Sequence, residues 1–491
     1  MKGCISRMAA TGLFAAVITT TGCKFSDPNT EGIKPNILLI NIDDMGWRDL
    51  GFMGSAYYET PNLDALAADG VIFSNAYASA SNCAPSRASM LTGQWAPRHG
   101  VYTVASSERG RSRDRKLIPT KNTLYLSNEQ YVFPMAFQDA GYATCHAGKW
   151  HVSEDPTSFG FDVNIGGCEA GNPGSYYPPY TLVPLEAPSD DYYLTNLIMD
   201  KTIDFINAVD NQPFFLYYSP YAVHTPIQAV GNLLPKYDNK PEWEGQGHAG
   251  YATMVENLDT QIGRLIAALK ETGKMDNTFI LFISDNGGHL GFTAIPPLRS
   301  GKGSYYEGGI RVPMFARWDG FIAENTVSDV PVTMLDFFPT LLEVAGIEKP
   351  AAHRLDGQSL LPLLMGTGNL EERPLVWHFP VYLETYLGDR DPTQDPLFRT
   401  RPGSAVRLGD WKLIQYFEYN DLELYNLKED IGERNNLAEI EAEKREELLL
   451  ILENWREETK APVPTDLNPD YAGSRAGDTP AKPSPAGLAG G

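Results

Sequence analysis

Apolar residues in this chain fall in short, almost unbroken runs that end in polar clusters. Asn36-Ile37-Leu38-Leu39-Ile40-Asn41-Ile42 is followed at once by Asp43-Asp44. A run without alternation predicts a strand buried on both faces, as in a parallel sheet. Three more runs end the same way. Residues 142–147 lead to Gly148-Lys149-Trp150-His151, and residues 214–218 lead to His224. Residues 279–283 lead to Ser284-Asp285-Asn286-Gly287-Gly288. Between them the period becomes helical. Leu194, Leu197, Ile198, Phe205, Ile206 and Val209 share one face, as do Met254, Val255, Leu258, Ile262, Leu265, Ile266 and Leu269. Strands alternating with amphipathic helices predict an α/β domain over residues 34–370, with a mostly parallel central sheet flanked by helices. Such sheets gather their sites beyond the carboxyl ends of the strands, so the four polar clusters are expected to converge.

The pattern changes after about residue 370. Ala405-Val406-Arg407-Leu408, Gly409-Asp410 and Trp411-Lys412-Leu413-Ile414 read as a hairpin with a two-residue turn. Residues 422–425 could add a strand, and residues 439–455 form a charged helix with a leucine stripe. A smaller C-terminal α+β domain with an antiparallel sheet is predicted over residues 371–465. The Ala, Gly, Pro and Ser-rich tail, residues 474–491, is predicted to be disordered.

Composition narrows the classes. The chain has 491 residues, 42% hydrophobic, which suits a globular protein with a large core, and its net charge of −22 excludes bulk attraction to nucleic acid or anionic membrane. An anionic substrate must then meet a local cluster of cations. Lys2 and Arg7 precede a small and apolar run at residues 8–19 and then Thr20-Thr21-Gly22-Cys23. Residues 1–23 thus read as a signal peptide ending in a lipobox-like site, with Cys23 as the lipidated residue. The expected location is periplasmic or cell-surface, with membrane attachment through that lipid. Of five cysteines, Cys83, Cys145 and Cys168 remain, an odd number for an oxidising compartment, so Cys83 needs a chemical explanation.

The candidate chemistry is oxygen-rich. Asp43 and Asp44 end one strand, and Asp285 with Asn286 ends another; carboxylates plus an amide suit a hard cation such as Ca²⁺ or Mg²⁺. Lys149, His151, His224 and Lys302 add a candidate pocket for a compact oxyanion, with histidine available for proton transfer. Cys83-Ala84-Pro85-Ser86-Arg87 places a cysteine at a helix start, where the positive helix end and Arg87 are expected to lower its thiol pKa. The loop of residues 166–180 is rich in Gly, Pro and Tyr, and its tyrosines either stack on sugar rings or pack as an ordinary surface loop.

Together these residues reach a family. Cys83-Ala84-Pro85-Ser86-Arg87 followed by Leu91-Thr92-Gly93 resembles the C-x-P-S-R…T-G signature of the formylglycine-dependent sulfatases of the alkaline phosphatase superfamily. Asn36 through Asp44, Gly148-Lys149-Trp150-His151, Ser284-Asp285-Asn286-Gly287-Gly288 and Lys302-Gly303-Ser304-Tyr305-Tyr306-Glu307-Gly308-Gly309 resemble that family's blocks, in its order. Leu355-Asp356-Gly357-Gln358-Ser359-Leu360 and Gly409-Asp410-Trp411-Lys412-Leu413 extend the likeness to roughly residues 34–460. Gln94 departs from the Arg of many members.

The resemblance implies an alkaline-phosphatase-like large domain and a sulfuric ester hydrolase. It implies that a maturation enzyme converts Cys83 to formylglycine, and that one Ca²⁺ is held by Asp43, Asp44, Asp285, Asn286 and the converted Cys83. Arg87 and Lys149 would fix the nucleophile with His151 nearby; His224 and Lys302 would face the ester, His224 as the acid. Cys145 and Cys168 are left as a disulfide or as two buried thiols. The expected substrate is a sulfated carbohydrate. The alternatives are a phosphonate monoester hydrolase or phosphodiesterase of the same superfamily, and an inactive binder of sulfated glycans.

Overall fold

The computed structural model describes residues 34–385 and 395–473. The leader at residues 1–23, with Cys23, and the tail at residues 474–491 lie outside the described residues.

Eight strands form the central sheet: β1 (Asn36–Ile42), β2 (Val71–Phe73), β3 (Ala143–Gly148), β4 (Val163–Ile165), β5 (Phe214–Ser219), β6 (Thr278–Ser284), β7 (Met314–Arg317) and β8 (Thr326–Ser328). Their order is β4-β3-β5-β1-β6-β7-β2-β8. All neighbours pair in parallel except β7, which runs antiparallel to β6 and β2. Every residue of β1, β5 and β6 is buried, as their unbroken apolar runs require. The side chains of β1 alternate between two cores. Leu38, Ile40 and Ile42 pack with the helices α1 (Pro61–Ala68), α3 (Leu194–Ala208) and α4 (Ala249–Glu271). Ile37 and Leu39 pack with α2 (Cys83–Thr92) and α5 (Phe337–Val344) on the other face. The sheet is therefore covered on both sides.

A second, four-stranded antiparallel sheet follows, in the order β9 (Leu375–Phe379), β10 (Gly403–Leu408), β11 (Trp411–Tyr416) and β12 (Asp421–Asn426). The hairpin turn at Gly409-Asp410 is as the sequence predicts; the charged helix, α6 (Ala442–Thr459), starts and ends slightly later than its leucine stripe predicts. Leu448, Leu452 and Trp455 of α6 pack on Val376, Val406, Leu413 and Leu424. The opposite face, through Trp377, Phe379, Ala405 and Ile414, packs on Tyr77, Tyr305, Tyr306 and Ile310 of the larger part. Between the two parts Lys412 Nζ lies 2.9 Å from Glu307 and 2.8 Å from Glu433, with all three side chains buried.

Candidate active site

The four strands β3, β5, β1 and β6 are neighbours in that order and point the same way, so the residues just past their ends meet. Asp43 and Asp44 follow β1, Lys149 and His151 follow β3, His224 lies a few residues past β5, and Asp285 and Asn286 follow β6. Asp44 and His151 take left-handed backbone, with φ of 60° and 67°. Turned backbone of this kind at a non-glycine residue is held only where surrounding contacts over-determine it. At Asp44 those contacts include its own N–H donating to Asp285 Oδ1 at 3.2 Å and the next N–H donating to Ser284 Oγ at 3.0 Å. Gly287 is needed for close approach: a Cβ there would sit 1.9 Å from the carbonyl oxygen of Gly308. That contact seats the Asp285-Asn286 turn against the loop that carries Lys302, whose N–H donates to Gly288 O at 3.0 Å.

Charge is paired throughout. Lys149 Nζ lies 2.7 Å from Asp43 Oδ2, and Lys302 Nζ lies 2.7 Å from Asp44 Oδ1. Arg87 Nε donates to Asp285 Oδ2 at 2.7 Å, and its Nη1 donates to Lys149 O and to Ser219 Oγ at the end of β5. Arg87 Nη2 is buried and has no hydrogen-bond partner. His224 Nε2 lies 3.6 Å from Asp44 Oδ2, while its Nδ1 lies 2.8 Å from Thr225 O. That short contact to a carbonyl requires the proton on Nδ1 and leaves Nε2 to face the carboxylates. His151 N–H donates to Cys168 O at 3.0 Å.

Burial governs the protonation of these groups. It pushes Asp43 up to about 8, with Lys149 opposing and the Asp285 and Asp44 carboxylates adding to the rise. Burial would raise Asp44 too, but Lys302, then His224 and Lys149, hold its carboxyl well below the usual range. His224 is held well below its ordinary value by burial and by Lys302, and His151 by burial and by Lys149 and Arg87. At Cys83 the expectation of a lowered thiol pKa is overturned. Cys83 is the first residue of α2, yet complete burial raises its thiol pKa and outweighs the pull of Lys149 and Lys302.

The donor set fits a hard cation. Oδ1 of Asp43 and Oδ1 of Asn286 are buried acceptors with no hydrogen-bond partner. A ligand oxygen from each of Asp43 and Asp285 and the Cys83 Sγ lie within 4.8 Å of one another; so do ligand atoms of Asp43, Asp44 and His224. Lys149, Lys302 and Arg87 each pair with one carboxylate, yet Asp43 Oδ1 and Asn286 Oδ1 stay unmatched, and buried acceptors without a partner are costly unless a cation joins them.

All ten predicted residues are therefore brought to one end of the sheet, linked directly or through a shared neighbour. Cys145 and Cys168 are buried free thiols, not a disulfide. The tyrosines of the 166–180 loop pack inward: Tyr176 is 0% exposed and stacks on Tyr193, and Tyr180 is buried. The sugar-stacking alternative thus fails for Tyr176 and Tyr180. Sequence reasoning missed Ser219, whose hydroxyl receives Arg87, and Tyr176, whose hydroxyl grips the His224 turn.

With that geometry in place, comparison with known proteins gives the class. The sulfatase family model matches residues 35–347, and the model described as N-sulphoglucosamine sulphohydrolase, C-terminal, matches residues 301–458. The chain belongs to the sulfatase family and is a sulfuric ester hydrolase. A sulfatase of Formosa agariphila is 31% identical, covering 93% of this chain and 94% of the relative. The N-acetylgalactosamine-6-sulfatase of Sus scrofa is 33% identical over 70% of this chain and 68% of its own. Among solved structures, Ps i-CgsB in complex with k-i-k-neocarrahexaose superposes with a TM-score of 0.71 at 28% identity, covering 87% of this chain and 94% of that one.

Proposed function

We propose that the protein is a carbohydrate sulfatase that removes sulfate from galactose or N-acetylgalactosamine units, using formylglycine made from Cys83 and one Ca²⁺ held by Asp43, Asp44, Asp285 and Asn286. The observation that carries the reading is the Cys83 Sγ lying within 4.8 Å of the Asp43 and Asp285 carboxylates. The N-acetylgalactosamine of one relative's name and the neocarrahexaose bound by the other support the sugar.

Formylglycine, as its hydrate, supplies a hydroxyl nucleophile and a second hydroxyl through which sulfate is later released, and the cation neutralises sulfate oxygens. The rest falls to the chain's own side chains. Arg87 fixes Asp285 and keeps Nη2 for the nucleophile's oxygens. Lys149 and Lys302 bring fixed positive charge to a dry site, where it stabilises the negative charge that grows as the ester breaks. His224 keeps Nδ1–H on Thr225 O; with a second proton on Nε2 it donates to the leaving alcohol, so no free alkoxide is expelled. The bound sulfate ester, an anion, favours that protonated state against the burial and the Lys302 charge that oppose it. The maturation enzyme acts before this fold closes over Cys83, which is 2% exposed. The leader at residues 1–23 goes with export, and Cys23→Ser is expected to move the protein from the membrane fraction to the soluble one.

The test is sulfate release from a panel of position-defined sulfated galactose and N-acetylgalactosamine oligosaccharides, with choline sulfate, an aryl sulfate and an aryl phosphonate alongside. Turnover of a sulfated sugar above the others is expected. Activity confined to choline or aryl sulfate contradicts the sugar assignment, and a preference for the phosphonate makes the protein a phosphonate hydrolase. Glycan binding without sulfate release makes it a binder.

A further inference from the structure

The loop of residues 166–180 touches both histidines of the site. At its start, Cys168 O receives the His151 N–H at 3.0 Å. Next, the backbone at Gly171 lies so close to the His151 ring that a Cβ there would be 2.6 Å from Nε2. Further along, the Tyr176 hydroxyl lies 2.6 Å from Tyr221 O and 2.9 Å from His224 O. Those two carbonyls bracket the turn in which the His224 N–H donates to Tyr221 O at 2.9 Å. One hydroxyl hydrogen is shared between both ends of the turn that presents His224.

Tyr176 is itself held rigidly. Its ring is fully buried and stacks on Tyr193 with centroids 5.4 Å apart. Its N–H donates to the Gln228 side chain at 2.5 Å, and its carbonyl receives the N–H of Leu194 at the start of α3. The Tyr221 ring returns the grip, its hydroxyl donating to Gly166 O at 3.0 Å. The loop and the His224 turn are thus tied at both ends. Holding a catalytic group within a fraction of an ångström is what such supporting hydrogen bonds do.

We propose that Tyr176 is a positioning residue for His224, and that the loop of residues 166–180 is a brace shared by His151 and His224. The proposal rests on the reading of His224 as the acid. Tyr176 touches no reacting atom; it sets where Nε2 of His224 points. Removing its hydroxyl frees the turn and leaves two buried carbonyls sharing one donor fewer, so His224 is held less sharply.

The test is a double-mutant cycle of Tyr176→Phe and His224→Gln, with Tyr180→Phe as control. The Tyr180 hydroxyl bonds Tyr192 O, away from the His224 turn. The substrate is the sulfated sugar that turns over fastest in the panel above, and rates are normalised to folded, formylglycine-bearing protein. Tyr176→Phe is expected to lower kcat roughly 10- to 100-fold with KM nearly unchanged. Tyr180→Phe is expected to change little. In the His224→Gln background, Tyr176→Phe is expected to add no more than about a twofold loss, because coupled residues are non-additive. A wild-type kcat in Tyr176→Phe, or losses that multiply in the double mutant, overturns the proposal alone. A wild-type kcat in His224→Gln overturns the acid assignment and the proposal with it. If Tyr176→Phe does not fold, 3-fluorotyrosine at residue 176 keeps the ring and alters the hydroxyl. It must then change kcat beside His224 but not beside Gln at that position, and an unchanged kcat overturns the proposal.

Discussion

Arg87 and Asp285 form a pair that water does not reach: Nε lies 2.7 Å from Oδ2 and both side chains are 0% exposed. The pair spans nearly two hundred positions of sequence, and it fixes the carboxylate that follows β6 to the helix that begins at Cys83. Arg87→Met would leave that carboxylate buried beside Asp43 with one cation fewer. Breaking a buried pair on one side costs about 3–5 kcal/mol. The expected result is a clear fall in Tm together with a loss of activity. Arg87→Lys is expected to recover part of the Tm but little of the kcat, since a lysine cannot bond Asp285, Lys149 O and Ser219 Oγ at once. Thermal melts and kcat measured side by side check this.

Metal uptake is expected to release a proton. In the metal-free chain Asp43 is pushed up to about 8, chiefly by burial, so at pH 7 it is mostly protonated. A cation needs the carboxylate, so binding releases about one proton at that pH. Ca²⁺ affinity should then rise with pH up to about 8 and level off above it. Calorimetry in buffers of different ionisation enthalpy measures this directly. A binding enthalpy independent of buffer would contradict it.

Acid is expected to destabilise the fold from about pH 6.5 downward, where histidines gain protons in the unfolded chain. Burial pushes His99, His146 and His378 each down to about 3. In the unfolded chain each titrates near ~6.5, so below that pH the unfolded state takes up protons that the folded state refuses. Each histidine then removes roughly 1.4 kcal/mol of stability per pH unit until the pH falls through its folded value. Glu433, pushed up to about 7 by burial, acts in the opposite sense. Its share is fully present below about pH 4.5 and is lost as the pH rises through about 7. From pH 6.5 down to 4.5 the net slope of these four is therefore about that of two histidines. Tm measured with Ca²⁺ present should fall between pH 7 and 5, and His378→Gln should flatten the fall.

Lys412 is the cation of the joint between the two sheets. It lies between Glu307 and Glu433 with no solvent contact. Lys412→Met leaves Glu307 its bond to Arg311 but takes from Glu433 the lysine 2.8 Å from it. The cost expected is about 3–5 kcal/mol, seen as a lower Tm and earlier proteolysis of the C-terminal sheet. Arg311→Lys, which keeps a charge beside Glu307, should cost less.

Much of this was legible in the sequence, for identifiable reasons. A strand buried on both faces carries few polar residues and no unpaired charge, so the change from Ile42 to Asp43-Asp44 or from Ile283 to Ser284-Asp285 marks a carboxyl end and a site together. The helices Leu194–Ala208 and Ala249–Glu271 were legible because each has a single apolar face. Strand β9 was not, since Leu375–Phe379 includes Trp377 and His378 and no tight turn joins it to its partner β10. At Tyr176 the sequence left two readings open, and at Cys83 it gave the wrong direction for the thiol pKa. A tyrosine has an apolar face and a polar tip, so one that stacks on sugar and one that stacks on Tyr193 look alike in sequence. The thiol at a helix start was read from local charge, whereas burial beside Asp43, Lys149, Asp285 and Lys302, all remote in sequence, decides its pKa, and no local pattern carries that.

Cys83 is where the proposed chemistry begins. A peptide mass spectrum across residue 83, from protein produced together with a formylglycine-generating enzyme, is predicted to show the aldehyde in place of the thiol. An unmodified cysteine, in protein that still releases sulfate from a sulfated sugar, would contradict it.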